Sequence, residues 1–166
     1  MELREEPYDG PSAQALIAAV QLEYVERYGG PDESPVDPTQ FAPPRGTFVV
    51  GYLDTTPVAI GGVRLLDDSI AVAEGAGADA AEIKRMYVVP SARGRGIARL
   101  MLRRLEELAA DLGASRVVLE TGPKQPEAIR LYETSGYERI SNFGFYACHP
   151  TSVSFGKSLT AVPDNS

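Results

Sequence analysis

The sequence predicts an α/β domain, a mixed β-sheet with helices packed on its faces. Two kinds of apolar spacing carry that expectation. Stretches rich in β-branched and aromatic residues read as strands, and segments with helical apolar spacing fall between them. Glycine or proline marks most of the junctions. The resulting order is β-α-β-β-β-α-β-α-β-β, and 166 residues suffice for one domain with a sizeable core.

Each element has its own signal. Residues 2–8 are short and alternating, as in an edge strand. Ser12 offers an N-cap for a helix in which Ile17, Val20, Tyr24 and Tyr28 recur at helical spacing until Gly29-Gly30 closes it. Residues 31–44 form a loop dense in proline, aspartate and serine, of a length usually tied to function or disorder. Residues 47–53 and 57–66 read as antiparallel partners about the turn Asp54-Thr55-Thr56, and 67–78 read mainly as loop. Residues 81–89 form a strand ended by Pro90. The clearest helix covers 96–112, with Ile97, Leu100, Met101, Leu105, Leu108 and Leu112 as its apolar stripe and Gly113 as its stop. A strand over 115–120 precedes a helix that opens at Pro126 and ends at Gly136. Residues 137–140 and 143–148 read as two last strands. The domain is expected to span 1–156, with 157–166 as a flexible tail.

The composition, 43% hydrophobic and 23% charged, is that of a soluble globular protein, and no apolar run is long enough for a membrane span. The N-terminus lacks the apolar stretch of a signal peptide, and one cysteine, Cys148, needs no oxidising compartment. A cytoplasmic location is the expectation. A net charge of −7 argues against nucleic-acid binding. Yet seven of the sixteen basic residues lie between Lys84 and Arg104, a stretch without Asp or Glu. That distribution suits a compact anion, or equally a helix face of solvated arginines.

The segment Arg93-Gly94-Arg95-Gly96-Ile97-Ala98 sits between a strand and a helix. Its glycines admit a bulky ligand close to the backbone, and the free N–H groups and dipole of the helix start favour negative charge. Arg93 and Arg95 add guanidinium donors suited to phosphate oxygens. No Gly-Lys-Ser/Thr follows, so this is not a Walker loop, and its glycine spacing differs from the dinucleotide fingerprint.

The sequence from Glu82 to Leu105 closely resembles the central motif of the GNAT superfamily of N-acetyltransferases. That motif's turn, Arg/Gln-x-x-Gly-x-Gly/Ala, is met by Arg93, Gly96 and Ala98. A second signature, Asn-x-x-Ala-x-x-Leu-Tyr-x-x-x-Gly-Phe/Tyr, is met at Ala128, Leu131, Tyr132, Gly136 and Tyr137, with Gln125 in place of the usual Asn. The resemblance covers roughly residues 45–147. It implies a mostly antiparallel sheet that splays at a cofactor cleft, helices on both faces, and acetyl-CoA as acyl donor. It also implies backbone contacts to the pantetheine arm from Met86, Tyr87 and Val88, and a pyrophosphate held by the amides of Arg93, Gly94, Arg95, Gly96, Ile97 and Ala98, with Gln125 and Tyr132 beside the cofactor.

The implied reaction is direct transfer of the acetyl group to an amine, with a backbone N–H near Val88 as donor to the oxyanion. By resemblance, Tyr132 is the general acid for the leaving thiolate; the alternative is a packed helix aromatic with its hydroxyl in solvent. Glu82 is the candidate base, since some members carry a catalytic glutamate at this point of the strand. The alternatives are a salt bridge to Arg64 or a water chain. Alternation places Glu82, Lys84 and Met86 on one face and Ile83, Arg85 and Tyr87 on the other.

The lone histidine, His149, excludes a His-rich metal site and reads as a surface residue, and no metal is expected. Cys148 reads as buried filler and Tyr146 as a candidate for the acceptor pocket. Asp32, Glu33 and Asp37 make the long loop acidic, which suits a solvated loop or a cationic acceptor. The expected acceptor is a primary amine of a small molecule or peptide, and the fold is often dimeric. Two rival readings are a longer acyl-CoA donor and a non-catalytic CoA-binding module.

Overall fold

In the computed structural model, which describes residues 1–32, 37–66, 79–142 and 152–159, the strand-forming stretches join one seven-stranded sheet. The strands are β1 (Glu2–Glu5), β2 (Gly46–Leu53), β3 (Thr56–Leu65), β4 (Ala80–Val88), β5 (Arg116–Thr121), β6 (Glu138–Ile140) and β7 (Val153–Ser158). They lie in the order β1-β2-β3-β4-β5-β7-β6. Every neighbouring pair is antiparallel except β4 and β5. The mixed, mostly antiparallel sheet is the one expected.

Period-two alternation divides the strand side chains between two cores. On one face Phe48, Val50 and Ile60 pack against Ala13, Leu16, Ile17 and Val20 of helix α1 (Pro11–Tyr28), with Phe41 closing the edge. On the other face Val49, Val63, Ile83 and Val117 meet Met101, Leu102, Leu105 and Leu108 of α2 (Ile97–Asp111). Tyr132 of α3 (Pro126–Thr134) joins this second core with Tyr137 and Phe155. Each fully buried large apolar side chain contributes about 1.5–3 kcal/mol. Gly61 lets α2 come close: a Cβ there would stand 2.7 Å from Leu105 Cδ1.

Some local expectations change. Helix α1 begins one residue before Ser12, at Pro11, with Gly10 as N-cap and no side-chain cap. Proline suits the first helical position because it has no N–H to leave unpaired. Ser12 instead accepts a hydrogen bond from the Tyr52 hydroxyl at 3.2 Å. In α2, Leu100 turns outward and Leu102 takes its place in the core. Strand β7 was not foreseen, and it inserts between β5 and β6. Lys157 and Ser158, expected in the tail, are part of it and pair with Val117 and Arg116. The expected strand over 143–148, with Tyr146 and Cys148, lies outside the described residues, as do His149 and Glu33.

Candidate active site

The parallel pair at the centre of the sheet comes apart. β4 and β5 pair only at Ala80/Arg116, Ala81/Val117 and Glu82/Val118, although both strands run further. The local cause is a β-bulge opposite Gly61, where the β3–β4 register shifts and Arg85 adopts a left-handed φ of 61°. A bulge bends its strand and adds a residue to one side. It also corrects the simple alternation. Glu82, Lys84, Arg85 and Tyr87 all turn to the α1 side, where they meet Gln40-bound Arg64, Asp32 and the α1 core. Ile83, Met86 and Val88 pack on the α2 side.

Hydrogen bonding decides which backbone groups remain at the opening. Val89 N–H donates to Val58 O at 2.9 Å, so alternation commits the amide and carbonyl of Tyr87 to Ile60 on β3. The groups of Val88 point the other way, toward the gap. Its carbonyl accepts from Arg93 Nε at 2.8 Å. The Tyr87 backbone is therefore taken up by β3, and the Arg93 guanidinium lies 5.5 Å from the centre of its ring.

The turn after β4 has the form the sequence suggests. Gly94 (φ 81°) and Gly96 (φ 78°) sit in the left-handed region, and Gly96 is the N-cap of α2. A Cβ at either glycine would meet nothing within 4 Å, so backbone conformation and not space demands glycine. No side chain caps the helix, and its first turn has no acidic residue. That leaves N–H groups and a positive dipole end for an anion.

The basic segment does not act as one patch. Lys84 and Arg85 are buried and share the Asp32 carboxylate. Arg104 pairs with Glu107 and Glu5, and Arg93 Nη2 contacts Glu23 on α1 at 2.7 Å. Arg95 stays exposed on the turn. A surface cavity of about 210 Å³ lies between α2 and α3, lined by Arg99, Arg103, Glu106, Ser135 and Lys157 among others.

Gln125 is the N-cap residue of α3, and its Oε1 accepts from the Thr121 hydroxyl and from Gly122 N–H. The side chain thus orders the β5–α3 turn. Tyr132 is buried between the rings of Tyr137 (5.8 Å) and Phe155 (5.7 Å). Burial raises its phenol above the ordinary value, and its hydroxyl has no hydrogen-bond partner among the described residues. The packed helix aromatic is therefore present.

The α1-facing side of the opening holds the acids. Glu82 is bound by Arg64, whose Nε and Nη2 both reach Oε1, at 3.1 and 2.9 Å. Arg64 is fixed in turn by Gln40 at 2.6 Å. Asp32, expected in a solvated loop, is turned inward onto Lys84 and Arg85, and Gln21 holds its backbone. Asp37 stays outside and caps the short helix Pro38–Phe41; hydrogen bonds from Thr39 lower its pKa.

Sequence reasoning passed over Glu120. It lies two residues beyond Val118, the partner of Glu82, and so on the same face. Its Oε2 is buried without a hydrogen bond. Burial, reinforced by the Glu82 carboxylate, pushes its pKa up to about 8. The available signal was an acid on an otherwise apolar strand, the same signal that drew notice to Glu82.

Among the described residues no group of three or more His, Cys, Asp or Glu side chains is placed to hold a metal. No helix among them is long and apolar enough to cross a membrane.

Known proteins match this arrangement. The acetyltransferase (GNAT) family matches residues 14–137. An IAA acetyltransferase of Azospirillum brasilense is 37% identical over 148 residues, covering 86% of this chain and 91% of its own. Among solved structures, a Klebsiella pneumoniae protein assigned as an acyl-CoA N-acyltransferase aligns with a TM-score of 0.74 at 26% identity, over 95% of this chain and 97% of that one. A GNAT family acetyltransferase of Elizabethkingia anophelis, solved with acetyl-CoA bound, has the same fold, with a TM-score of 0.65 at 14% identity over 95% and 97% of the two chains. The parted β4–β5 pair, the glycine turn and these matches together make the chain an acyltransferase that belongs to the GNAT family.

Proposed function

We propose that the protein transfers an acetyl group from acetyl-CoA to a primary amine of a small molecule or peptide, by direct attack. The observation that carries this is the parting of β4 and β5 after Glu82/Val118, with an uncapped helix N-terminus at the same end of the sheet. Ligands of open sheets with parallel strands lie at the carboxyl ends of those strands.

The residues present fit the donor. Amides of residues 94–98 and the Arg95 guanidinium suit a pyrophosphate. The N–H of Val88 points into the gap, placed to donate to a carbonyl oxygen as charge develops on it. Tyr132, kept as the neutral phenol by burial, holds the proton that a leaving sulfur needs. Acetyl-CoA supplies the activated acyl thioester. The donor is read as acetyl rather than a longer acyl chain because that is the donor of the family, one of whose solved members holds acetyl-CoA. The cationic cavity between α2 and α3 suits the nucleotide end of the donor.

Thermal unfolding with acetyl-CoA and with free CoA tests the reading. At a hundredfold excess over Kd, binding adds about 2.7 kcal/mol, roughly 5–10 °C for a chain of this size. Thiol release with a panel of primary amines is expected in the same preparation. No stabilisation by either ligand would remove the donor from the account.

A further inference from the structure

Helix α1 is apolar on both of its sides. The inner face, Ala13, Leu16, Ile17 and Val20, is buried against the sheet. The outer positions Pro11, Ala15, Ala18, Leu22 and Val25 are all exposed, with only Gln14 and Glu26 exposed beside them. No charged residue occurs from Pro11 to Leu22. A helix at the surface of a soluble monomer ordinarily carries charged and polar residues on its outer face. Leu22 is 66% exposed and Val25 44%, two of the four large apolar side chains left exposed among the described residues. Alternating steps of four and three residues keep the five outer positions in one seam, the spacing by which two helices pack along each other.

We propose that this seam is a dimer interface, in which α1 packs antiparallel against α1 of a second copy about a twofold axis at Ala18. The seam is complementary to itself, as a twofold contact requires. In the antiparallel pair, Leu22 of one copy comes beside Ala15 of the other, and Val25 beside Pro11. Large side chains thus meet small ones along the contact, and alanine at the axis lets the helices approach closely. A parallel pair would set Leu22 on Leu22 and leave Ala15 facing Ala15 across a gap, with the contacts there forfeited.

Charge selects the same arrangement. The start of α1 has no side-chain cap and no acidic residue in its first turn. Its acids, Glu23 and Glu26, lie in the last two turns, where a carboxylate opposes the helix dipole. In the antiparallel pair the exposed Glu26 comes beside Gly10 and Pro11 of the second copy, at the positive end of that helix. A lipid surface fits less well, because none of the exposed positions of α1 is the Lys or Arg of a helix that lies on membranes. The seam spans about 21 Å of helix. A contact of that length falls at the low end of interface areas, below about 1,200 Å², so the dimer is reversible with a Kd on the order of micromolar. The inward side of the same helix holds Asp32 through Gln21 and Arg93 through Glu23, so the contact braces the helix that borders the opening.

Sedimentation equilibrium of the full chain, from about 1 to 500 μM so as to bracket that Kd, is the test. The mass is expected to rise from one chain to two. Ala18→Glu and Ala18→Lys each set like charges together at the axis, and each is expected to weaken the dimer at least about a hundredfold. Position 18 is exposed and both substitutes favour a helix, so folding is expected to be kept, which circular dichroism checks. An equimolar mixture of the two variants is expected to regain the dimer, since opposite charges then meet. Leu100→Glu removes an exposed leucine elsewhere and is expected to leave the Kd unchanged. In a Cys148→Ser background, a chain with Ala15→Cys and one with Leu22→Cys are expected to form a disulfide with each other rather than with themselves.

A wild-type chain still monomeric at about 500 μM would overturn the proposal, as would a dimer that survives both Ala18→Glu and Leu22→Glu. A monomer that instead sediments with phosphatidylcholine vesicles would overturn it in favour of a lipid surface. Self-linking of Leu22→Cys in preference to the mixed pair would overturn the antiparallel arrangement. None of these readouts involves acetyl-CoA, so the outcome stands apart from the transferase reading.

Discussion

At Tyr132 two demands coincide in one side chain. The ring fills the core between Tyr137 and Phe155, while the hydroxyl bonds to none of the described residues. Tyr132→Phe keeps the packing and removes only the oxygen, so stability and acetyl-CoA affinity are expected to stay near wild type. Turnover is expected to fall roughly a hundredfold, the scale of a lost general acid, which steady-state kinetics beside a thermal shift will read. Glu120 makes a further statement, about stability. Its folded pKa of about 8 lies above the ordinary 4.5, so between those values the native state binds more protons than the unfolded chain. Stability contributed by the neutral carboxyl is fully present below pH 4.5 and is lost as pH rises through 8. Denaturant titrations at pH 5 and 8 are expected to show a fall in wild type of up to about 1 kcal/mol per pH unit. Glu120→Gln is expected to flatten it, and equal slopes would mean that Glu120 titrates normally.

At the scale of elements, the bulge at Arg85 and the close approach at Gly61 act on the same stretch of sheet. Gly61 lies opposite the bulge and beneath α2, with Leu105 and Met101 against its α-carbon. Gly61→Ala would force those side chains aside and press α2 away from the strands that part. Overpacking of this kind costs about 1–3 kcal/mol. A lower melting temperature is expected, with weaker acetyl-CoA binding because the N-terminus of α2 moves too. Titration calorimetry and thermal unfolding will separate the two effects. Such features explain what the sequence discloses. The helix over 97–111 and the turn before it are legible because apolar spacing and glycine placement are local. The bulge is not, because Arg85 carries no sign that it must adopt a positive φ. Glu120 escaped notice because its importance arises from the parallel pairing that sets it beside Glu82. Strand β7 escaped because only Val153 and Phe155 mark it, while Ser154 and Gly156 face the other way. There Arg116 crosses Gly156, where a Cβ would meet its Nη2 at 2.6 Å.

Across the whole molecule, the end of α1 ties the two sides of the opening together. Glu23 holds Arg93 on the glycine turn. Arg27 Nη1 donates to Lys124 O at 2.8 Å, and Lys124 Nζ returns a bond to Arg27 O at 3.1 Å, just beyond β5. Tyr28 packs so tightly over Gly122 that a Cβ there would stand 2.1 Å from its hydroxyl. The helix that borders the α1-facing carboxylates therefore also restrains Arg93 on the glycine turn. The Glu23 carboxylate offsets the charge of Arg93 and so weakens any pull of its guanidinium on a phosphate. That pair is partly exposed, and such pairs are worth about 0–1 kcal/mol. Glu23→Gln frees the guanidinium, and acetyl-CoA affinity is expected to rise by up to about fivefold. The gain should shrink as salt increases, since the released charge is then screened. Affinity measured at low and high ionic strength reads this directly. An unchanged Kd at low salt would show that Arg93 serves the Val88 carbonyl and the Tyr87 ring and leaves the pyrophosphate to the backbone amides.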